Sequence, residues 1–342
     1  MSDFPYRRQV AAWLFVCCAM IFCMVVVGGV TRLTHSGLSI VEWQPLVGAI
    51  PPLNEAEWQE TFEKYQQTPE YKSVNLWMKL DDFKSIFWVE YAHRLLGRSI
   101  GLVFLLPFVY FLMRRRIPPA LTPQLVTMFV LGGLQGALGW YMVKSGLVSD
   151  PRVSQYRLTA HLGTAFLIYS YIFWVALGIW APRTQQPAPQ TTGLRRFAGV
   201  VVLLIFGMAL LGGLVAGLRA GFAYNTFPLM GGRLIPDGLL ELQPVWKNFF
   251  ENITTVQFNH RMGAWLLMLV IPAFWLTTQR SSLSASARRA SHALLAMFAV
   301  QIALGIGTLV MVVPVPLAAA HQGGALLLLT MALWVNHELR RA

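Results

Sequence analysis

Four histidines and one glutamate lie inside apolar stretches of this chain that are long enough to cross a bilayer. An ionisable side chain at bilayer depth is costly and is therefore a candidate for function. The histidines are His93, His161, His260 and His321, and the acid is Glu90, which precedes His93 by one helical turn. Each histidine lies about five to seven residues into its stretch, which at ~1.5 Å per residue places all four at one depth. The remaining histidines, expected to be solvated or interfacial, are His35, His292 and His337.

The four histidines are expected to form two pairs. In an antiparallel four-helix bundle the second and fourth helices lie diagonally across the core, so His93 should oppose His161 and His260 should oppose His321. A small residue lies one turn deeper than each histidine and leaves a slot on that helix face: Gly97, Ala165, Ala264 and Ala325. A lone intramembrane histidine usually hydrogen-bonds between helices, and zinc normally takes three or four converging ligands. Two imidazoles that face each other, with space for a flat ring left by the small residues, instead match the axial coordination of haem iron. The pattern therefore predicts one haem per bundle.

The glutamate breaks the symmetry between the two pairs. The sequence "EYAHR" at 90–94 returns as "QFNHR" at 257–261, so that Gln257 stands where Glu90 stands in the first copy. One interpretation is that Glu90 only neutralises Arg94, four residues later. The second copy keeps the arginine without an acid, which argues against that interpretation. We therefore predict that Glu90 is catalytic and that the second site supplies support or electrons.

The elements that position these residues are membrane spans. The 342 residues are 56% hydrophobic and 12% charged, with a mean hydropathy of +0.53, whereas soluble domains carry about 25% charged residues. Eight apolar runs are predicted to be transmembrane helices: 11–31, 86–113, 122–143, 156–181, 197–218, 253–277, 291–313 and 316–336. The last two are separated by "PVP" at 314–316, which predicts a tight turn.

Arginines set the orientation. They cluster at the two ends of the chain and in every second loop, whereas the intervening loop 34–85 holds eight acids and four lysines. The positive-inside rule then places both termini in the cytoplasm and the histidines near the outer face. The net charge of +12 is mostly this inside bias, so nucleic-acid binding is excluded. Without an Arg- and Ser-rich presequence, the expected location of this multi-pass protein is a bacterial plasma (inner) membrane.

The chain divides into two similar halves. The polar, Pro-rich segment 182–196 predicts a cytoplasmic linker between an N-terminal half, 1–181, and a C-terminal half, 197–342. Matching stretches follow in the same order: "VVVGGVTRL" and "LLGGLVAGL", "EYAHR" and "QFNHR", "QGALG" and "QIALG", "HLGTA" and "HQGGA". The predicted fold is therefore an all-α integral membrane protein of two pseudo-repeated four-helix bundles.

The loop 34–85 contains a further predicted helix. Asn54 followed three residues later by a glutamate is an N-terminal capping signal, and Trp58, Phe62 and Tyr65 recur at helical spacing. This helix is either a lid over the first bundle or a surface helix with no role, and the sequence leaves both interpretations open.

Longer stretches carry a resemblance to a known family. "GGVTRLTHSGLSIVEWQPLVGAIPPLN", "DDFKSIFWVEYAHRLLGR", "TAHLGTA" and "FNHRMGAW" resemble haem A synthases over nearly the whole chain, 7–340. The resemblance implies an oxidoreductase that oxidises the C8 methyl group of haem O to the formyl group of haem A for cytochrome oxidase. It assigns Glu90 to the Glu-x-x-His motif of the family and the four paired histidines to axial haem ligation. Some members carry a cysteine pair in the first outer loop, where this chain has no cysteine.

The resemblance also implies cofactors and partners. Haem O and haem A are expected between His93 and His161 as substrate and product, and haem b between His260 and His321. Haem O synthase, the cytochrome oxidase assembly machinery and an electron donor of unknown identity are the implied partners, and a homo-oligomer is left open. A quinol-linked di-haem electron carrier that does not modify haem is the alternative. A transporter would explain the repeat but not the paired histidines.

Overall fold

The computed structural model describes residues 4–42, 47–146, 153–181 and 192–341, and the named elements of these residues are helices. The α-helices are α1 (Arg7–Leu33), α2 (Glu55–Gln66), α3 (Pro69–Ser73), α4 (Leu80–Met113), α5 (Thr122–Gly146), α6 (Gln155–Trp180), α7 (Thr192–Gly217), α8 (Asn248–Glu251), α9 (Ile253–Gln279), α10 (Ala285–Val310) and α11 (Val315–Arg341). Eight of these, α1, α4 to α7 and α9 to α11, are long and apolar enough to span a membrane. The prediction of an all-helical, eight-span protein is confirmed.

Several predicted boundaries shift. Helix α4 begins at Leu80 rather than at 86, because Asp82 accepts a hydrogen bond from the Lys79 backbone N–H (3.0 Å) and extends the helix beyond its apolar part. Helix α7 begins at Thr192, inside the predicted linker 182–196, of which residues 182–191 lie outside the described part of the chain. The expected turn between the last two spans is present, since α10 ends at Val310 and α11 begins at Val315.

The spanning helices contact one another in two rings of four. In the first ring, α1 and α5 each contact both α4 and α6; in the second, α7 and α10 each contact both α9 and α11. Among the described residues, α4 shares no extended contact with α6, and α9 shares none with α11. The helices that carry the four histidines therefore lie diagonally across each ring.

Two glycines allow the rings to approach each other. Helix α1 of the first ring contacts α11 of the second, and α7 contacts α6, which are equivalent contacts if the two halves are exchanged. A Cβ atom on Gly29 would lie 3.0 Å from the Gln322 side chain, and one on Gly213 would lie 2.9 Å from Oγ1 of Thr159. Gln322 also donates a hydrogen bond to the carbonyl oxygen of Val25 (2.7 Å). The two rings are thus related by a pseudo-two-fold arrangement.

The predicted helix of the outer loop is present as α2. Asn54 caps it by accepting a hydrogen bond from the Glu57 backbone N–H (3.0 Å), as the sequence signal indicates. Its apolar side chains are buried against the extramembrane start of α4 in one cluster: Trp58, Phe62, Tyr65, Met78, Phe83 and Phe87. The rings of Tyr65 and Phe83 stack with centroids 5.1 Å apart. The described residues of this loop therefore fold as a small domain on α4, here named the outer domain.

One of the remaining histidines departs from expectation. His337 is 1% exposed and packs against the ring of Trp174 (5.6 Å between centroids), so the prediction that it is solvated or interfacial is wrong. The C-terminal end of α11 is packed against the first ring and buries a polar residue on each side of His337. His35 and His292 are exposed as expected.

Candidate functional site

A large cavity opens inside the first ring. Its volume is about 1380 Å³, and its lining includes His93, His161 and Glu90 together. Pockets for drug-sized ligands usually measure ~300–1,000 Å³, so this cavity has room for a larger molecule. The sequence predicted that these three residues act at one site, and the structure places them on one cavity.

Small residues create this space. The lining includes Gly97 and Ala165, two of the residues predicted to leave a slot, and a run of glycines on α4 and α5. A Cβ atom would meet no other atom within 4 Å at four of these glycines: Gly101, Gly132, Gly133 and Gly136. The wall beside the histidines is therefore smooth and recessed, as a flat macrocycle requires.

Each of the four histidines lies against a glycine of the preceding spanning helix. A Cβ atom on that glycine would come within 2.9–3.4 Å of the imidazole ring. The pairs are Gly28 with His93, Gly139 with His161, Gly212 with His260, and Gly305 with His321. At Gly28, Gly139 and Gly305 the distance is 3.1 Å or less, so a larger residue would push against the imidazole ring, whereas at Gly212 the Cβ atom would just touch it at 3.4 Å.

In each half, one glutamine forms a hydrogen bond to the backbone of a histidine. Gln135 donates a hydrogen bond from Nε2 to the carbonyl oxygen of His161 (2.9 Å), and Gln301 donates one to that of His321 (3.0 Å). Sequence reasoning missed the roles of these glutamines and of the glycines. The signal was available, because "QGALG" and "QIALG" repeat the glutamine and the glycine together, and "GG" recurs at 28–29 and 212–213.

The histidines have the features of ligand positions. Among the described residues, Nδ1 of His161, His260 and His321 is buried and has no hydrogen-bond partner. A buried unpaired nitrogen is costly and needs an explanation, such as a bound group. No three His, Cys, Asp or Glu side chains of the described residues converge as a metal site. Two imidazoles, each packed against a glycine, fit the axial coordination of a haem better than the coordination of a bare zinc ion.

Glu90 is buried and fully hydrogen-bonded. Its exposed fraction is 2%, and Oε2 accepts bonds from Oγ of Ser39 (2.7 Å) and from the backbone N–H of Ile40 (2.8 Å). Oε1 accepts two bonds from Arg94, through Nε (2.9 Å) and Nη2 (2.6 Å). Arg94 also donates to the carbonyl oxygen of Ile40 (2.7 Å). The ion pair of Glu90 and Arg94 therefore holds the loop after α1 against α4.

In the second half, Gln257 and Arg261 likewise attach a loop to a spanning helix. Gln257 donates hydrogen bonds to its loop, whereas Glu90 accepts them from its own. Gln257 donates from Nε2 to the carbonyl oxygens of Ala220 (2.8 Å) and Tyr224 (3.2 Å). Arg261 donates to the carbonyl oxygens of Tyr224 (2.9 Å) and Thr226 (2.8 Å). Here Nη1 and Nη2 of the arginine donate to backbone carbonyls in place of an acid, while its buried Nε has no hydrogen-bond partner. The loss of the acid in the second copy thus has a structural explanation, which weakens the argument from the repeat.

A basic group of residues lies at the end of the cavity next to the loop that follows α1. Arg32 donates to the carbonyl oxygen of Ala216, and Nη2 of Arg219 lies 3.1 Å from Nδ1 of His35. All three side chains line both the large cavity and an adjoining pocket of about 340 Å³. Partial burial and the positive charges of Arg219 and Arg32 lower the pKa of His35. Because Arg219 comes from the second half, both halves contribute to this end of the first site.

Known proteins similar to this chain agree on one family. The profile of a family described as cytochrome oxidase assembly protein matches residues 11–333. A protein of Nitrosospira multiformis named haem A synthase is 61% identical over 341 residues, covering 99% of this chain and 96% of its own. The proteins of that name from Nitrosomonas eutropha and Paramagnetospirillum magneticum are 57% and 52% identical, covering 97% and 98% of this chain and 94% and 95% of their own.

Proposed function

Because the chain belongs to the haem A synthase family of cytochrome oxidase assembly proteins, we infer that it is an oxidoreductase that converts haem O to haem A for cytochrome oxidase. The reaction turns the C8 methyl group of the porphyrin into a formyl group. The protein is multi-pass, and its bacterial relatives support a plasma-membrane location.

We propose that the first half holds the substrate. The observation that carries this proposal is the single cavity lined by His93, His161 and Glu90. The conversion of the methyl group, R–CH₃ + H₂O → R–CHO + 4 H⁺ + 4 e⁻, releases four protons that need a proton acceptor near the macrocycle edge and four electrons that must pass to an external electron acceptor. A positioned carboxylate is the usual acceptor, and Glu90 lies one turn from a ligand histidine. In this proposal Glu90 accepts protons and returns to its ion pair with Arg94.

The basic residues at the outer end of the cavity suit the propionates of the same haem. Guanidinium groups bind carboxylates by charge-assisted hydrogen bonds. Arg32 and Arg219 line the cavity beside His35, on the side that the arginine distribution assigns to the outside. They would orient the macrocycle with its propionates outward.

The second half is proposed to hold haem b between His260 and His321. Each histidine packs against a glycine there as well, and a glutamine bonds to the backbone of His321, as in the first half. These shared contacts support the same kind of ligand. A haem bound there supplies one-electron redox chemistry. Gln257 cannot take up a proton at neutral pH, so we assign this half to electron transfer between the first half and an external electron acceptor. The external redox partner, haem O synthase and the oxidase assembly machinery remain proposed partners.

The observation that favours the alternative, an electron carrier, is the saturated hydrogen bonding of Glu90, which gives that acid a structural role. The sequence relatives are synthases, however, and the first cavity is large enough for a substrate to enter.

The direct test is the identity of the extracted haem. The protein is expressed with a source of haem O, and the haem is extracted and examined for the formyl group by its shifted spectrum. We expect haem A in the wild type and none in His93→Ala, the matched control expressed under the same conditions. Haem O and haem b without haem A in the wild-type protein would refute the proposed function.

A further inference from the structure

A second acid reaches the first cavity from the outer domain. Glu70 lies on α3, between α2 and α4, and its side chain lines the same cavity as Glu90. Only 6% of Glu70 is exposed. Buried carboxylates are rare unless they are paired, and no salt bridge of the described residues includes this one.

Glu70 is held much more loosely than Glu90. Its Oε2 accepts one hydrogen bond from the hydroxyl of Tyr65 (3.2 Å), while Nδ2 of Asn75 donates to the same hydroxyl (2.7 Å) and directs its proton toward Glu70. Tyr65 and Asn75 are themselves buried. Glu90 instead accepts four bonds, two of them from a guanidinium. Taking up a proton disrupts an ion pair at Glu90 but none at Glu70.

The surroundings place Glu70 between its two protonation states near neutral pH. Burial raises its pKa to about 7, the negative charge of Glu90 adds to that rise, and the Tyr65 hydroxyl and the charge of Arg219 oppose it. These are the groups that face it from α2, from α4 and from the segment after α7. A carboxyl group with a pKa near the working pH exchanges protons most effectively in both directions.

The second half offers no such acid. Among the described residues between α7 and α9, the acids are Asp237, Glu241 and Glu251, and none is buried. The buried acid of the outer domain is therefore another feature that separates the two halves, and it occurs on the side where protons are released.

We propose that Glu70 is the proton-exchanging residue that connects Glu90 to the water outside the membrane. The step is a proton transfer alone: the protonated Glu90 and the ionised Glu70 become an ionised Glu90 and a protonated Glu70, which then loses its proton to the outer solution. The Arg94 ion pair, restored at Glu90, favours transfer in this direction. This inference depends on the proposed function, since it takes its protons from the oxidation of the methyl group.

The test compares three variants with the wild type. Glu70→Gln removes the acid at nearly constant volume, Tyr65→Phe removes only the hydroxyl that bonds to it, and Glu63→Gln removes an exposed acid from α2 as the matched control. Infrared spectra of each purified protein, recorded between pH 5 and 9, follow the band of protonated carboxyl groups. The rate of haem A formation is measured over the same range in membranes supplied with haem O.

We expect a carboxyl band that titrates near neutral pH in the wild type and in Glu63→Gln and is missing in Glu70→Gln, where haem A forms at least about tenfold more slowly. In Tyr65→Phe the midpoints of the band and of the rate should shift together to higher pH, because the hydroxyl stabilises the ionised form. A titrating band that persists in Glu70→Gln, an unchanged rate in that variant, or a Tyr65→Phe midpoint equal to that of the wild type would each overturn the proposal. If the wild type shows the band but makes no haem A, the proposed function fails and this inference fails with it, although the protonation of Glu70 is then still established.

Discussion

The two halves of this protein share the parts that hold a histidine and differ in the parts that surround it. In both, the imidazoles rest on glycines of the preceding helix, and a glutamine bonds to the backbone of the second histidine of the pair. The residue one turn before the first histidine differs, as do the loops on the outer side. The shared parts suit haem binding, and the differing parts suit a division between chemistry and electron transfer.

The difference between Glu90 and Gln257 also shows how a side chain is matched to its loop. The loop after α1 presents donors, the hydroxyl of Ser39 and the backbone N–H of Ile40, and a carboxylate accepts from both. The corresponding loop after α7 presents carbonyl oxygens, and the amide of Gln257 donates to them. An exchange of the two residues is therefore not neutral in either half. A carboxamide at 90 places its NH₂ against a donor, which leaves a buried group unsatisfied.

The largest expected effect separates the two proposed haem sites. Leucine in place of Gly28 occupies the position of the His93 ring, since a Cβ atom there would already lie 3.1 Å from Nε2. We expect Gly28→Leu to lose the haem of the first half and Gly212→Leu to lose that of the second. The haem content per protein and the visible spectrum measure this. Gly178→Leu, where a Cβ atom meets nothing within 4 Å, is the control and should keep both haems. Retention of both haems in Gly28→Leu would contradict the role of the glycines.

The next effect concerns the acid that only the first half carries. Glu90→Gln should slow haem A formation by a factor on the order of 10²–10⁴, because it removes a positioned proton acceptor. Accumulation of haem O in the protein, measured on the extracted pigment, is the expected result. Ser39→Ala is the control, since it removes one donor to the same carboxylate and leaves the acid in place. We expect it to cost less than about tenfold. Equal losses in the two variants would mean that Glu90 acts only by attaching the loop.

The smallest effect is on stability. Because folding raises the pKa of Glu70 to about 7 from the ordinary range near ~4.3, the folded protein binds more protons than the unfolded one between these values. Stability should therefore be greatest at low pH, fall as the pH rises toward 7 and change no further through this group above it. Thermal unfolding in detergent at pH 5 and pH 8 should show a smaller fall in Tm for Glu70→Gln than for the wild type. A fall in Glu70→Gln equal to that of the wild type and of Glu63→Gln would assign the pH dependence to other groups.

Much of the architecture could be predicted from the sequence, because the bilayer requires long apolar helices and the repeat shows which of them correspond. The pairing of α4 with α6 and of α9 with α11 follows from ring order alone. The extent of α4 could not be predicted from hydropathy, since its first turns are polar and are stabilised by packing against α2. For the same reason the burial of His337 was missed: it depends on a contact between α11 and Trp174 of the other half.

The functional site, too, could be predicted from the sequence only in part. The histidines and Glu90 could be found from residue type and depth. The glycines that pack against the histidines could not, because finding them requires knowing which helix lies next to each imidazole. The role of Glu70 depends on the fold of the outer loop, which brings a residue twenty positions before Glu90 to the same cavity. No periodicity in the sequence reports such a long-range contact.

The most direct test of the division between the halves is the identity of the haem that each half holds. The double variants His93→Ala/His161→Ala and His260→Ala/His321→Ala are expressed with a source of haem O, and the haems extracted from each are separated and identified. We predict that the first double variant contains haem b and neither haem O nor haem A, and that the second lacks haem b and still contains haem O. Loss of haem O from the second variant with its retention in the first, or the same haem composition in both, would contradict the assignment of the substrate to the first half.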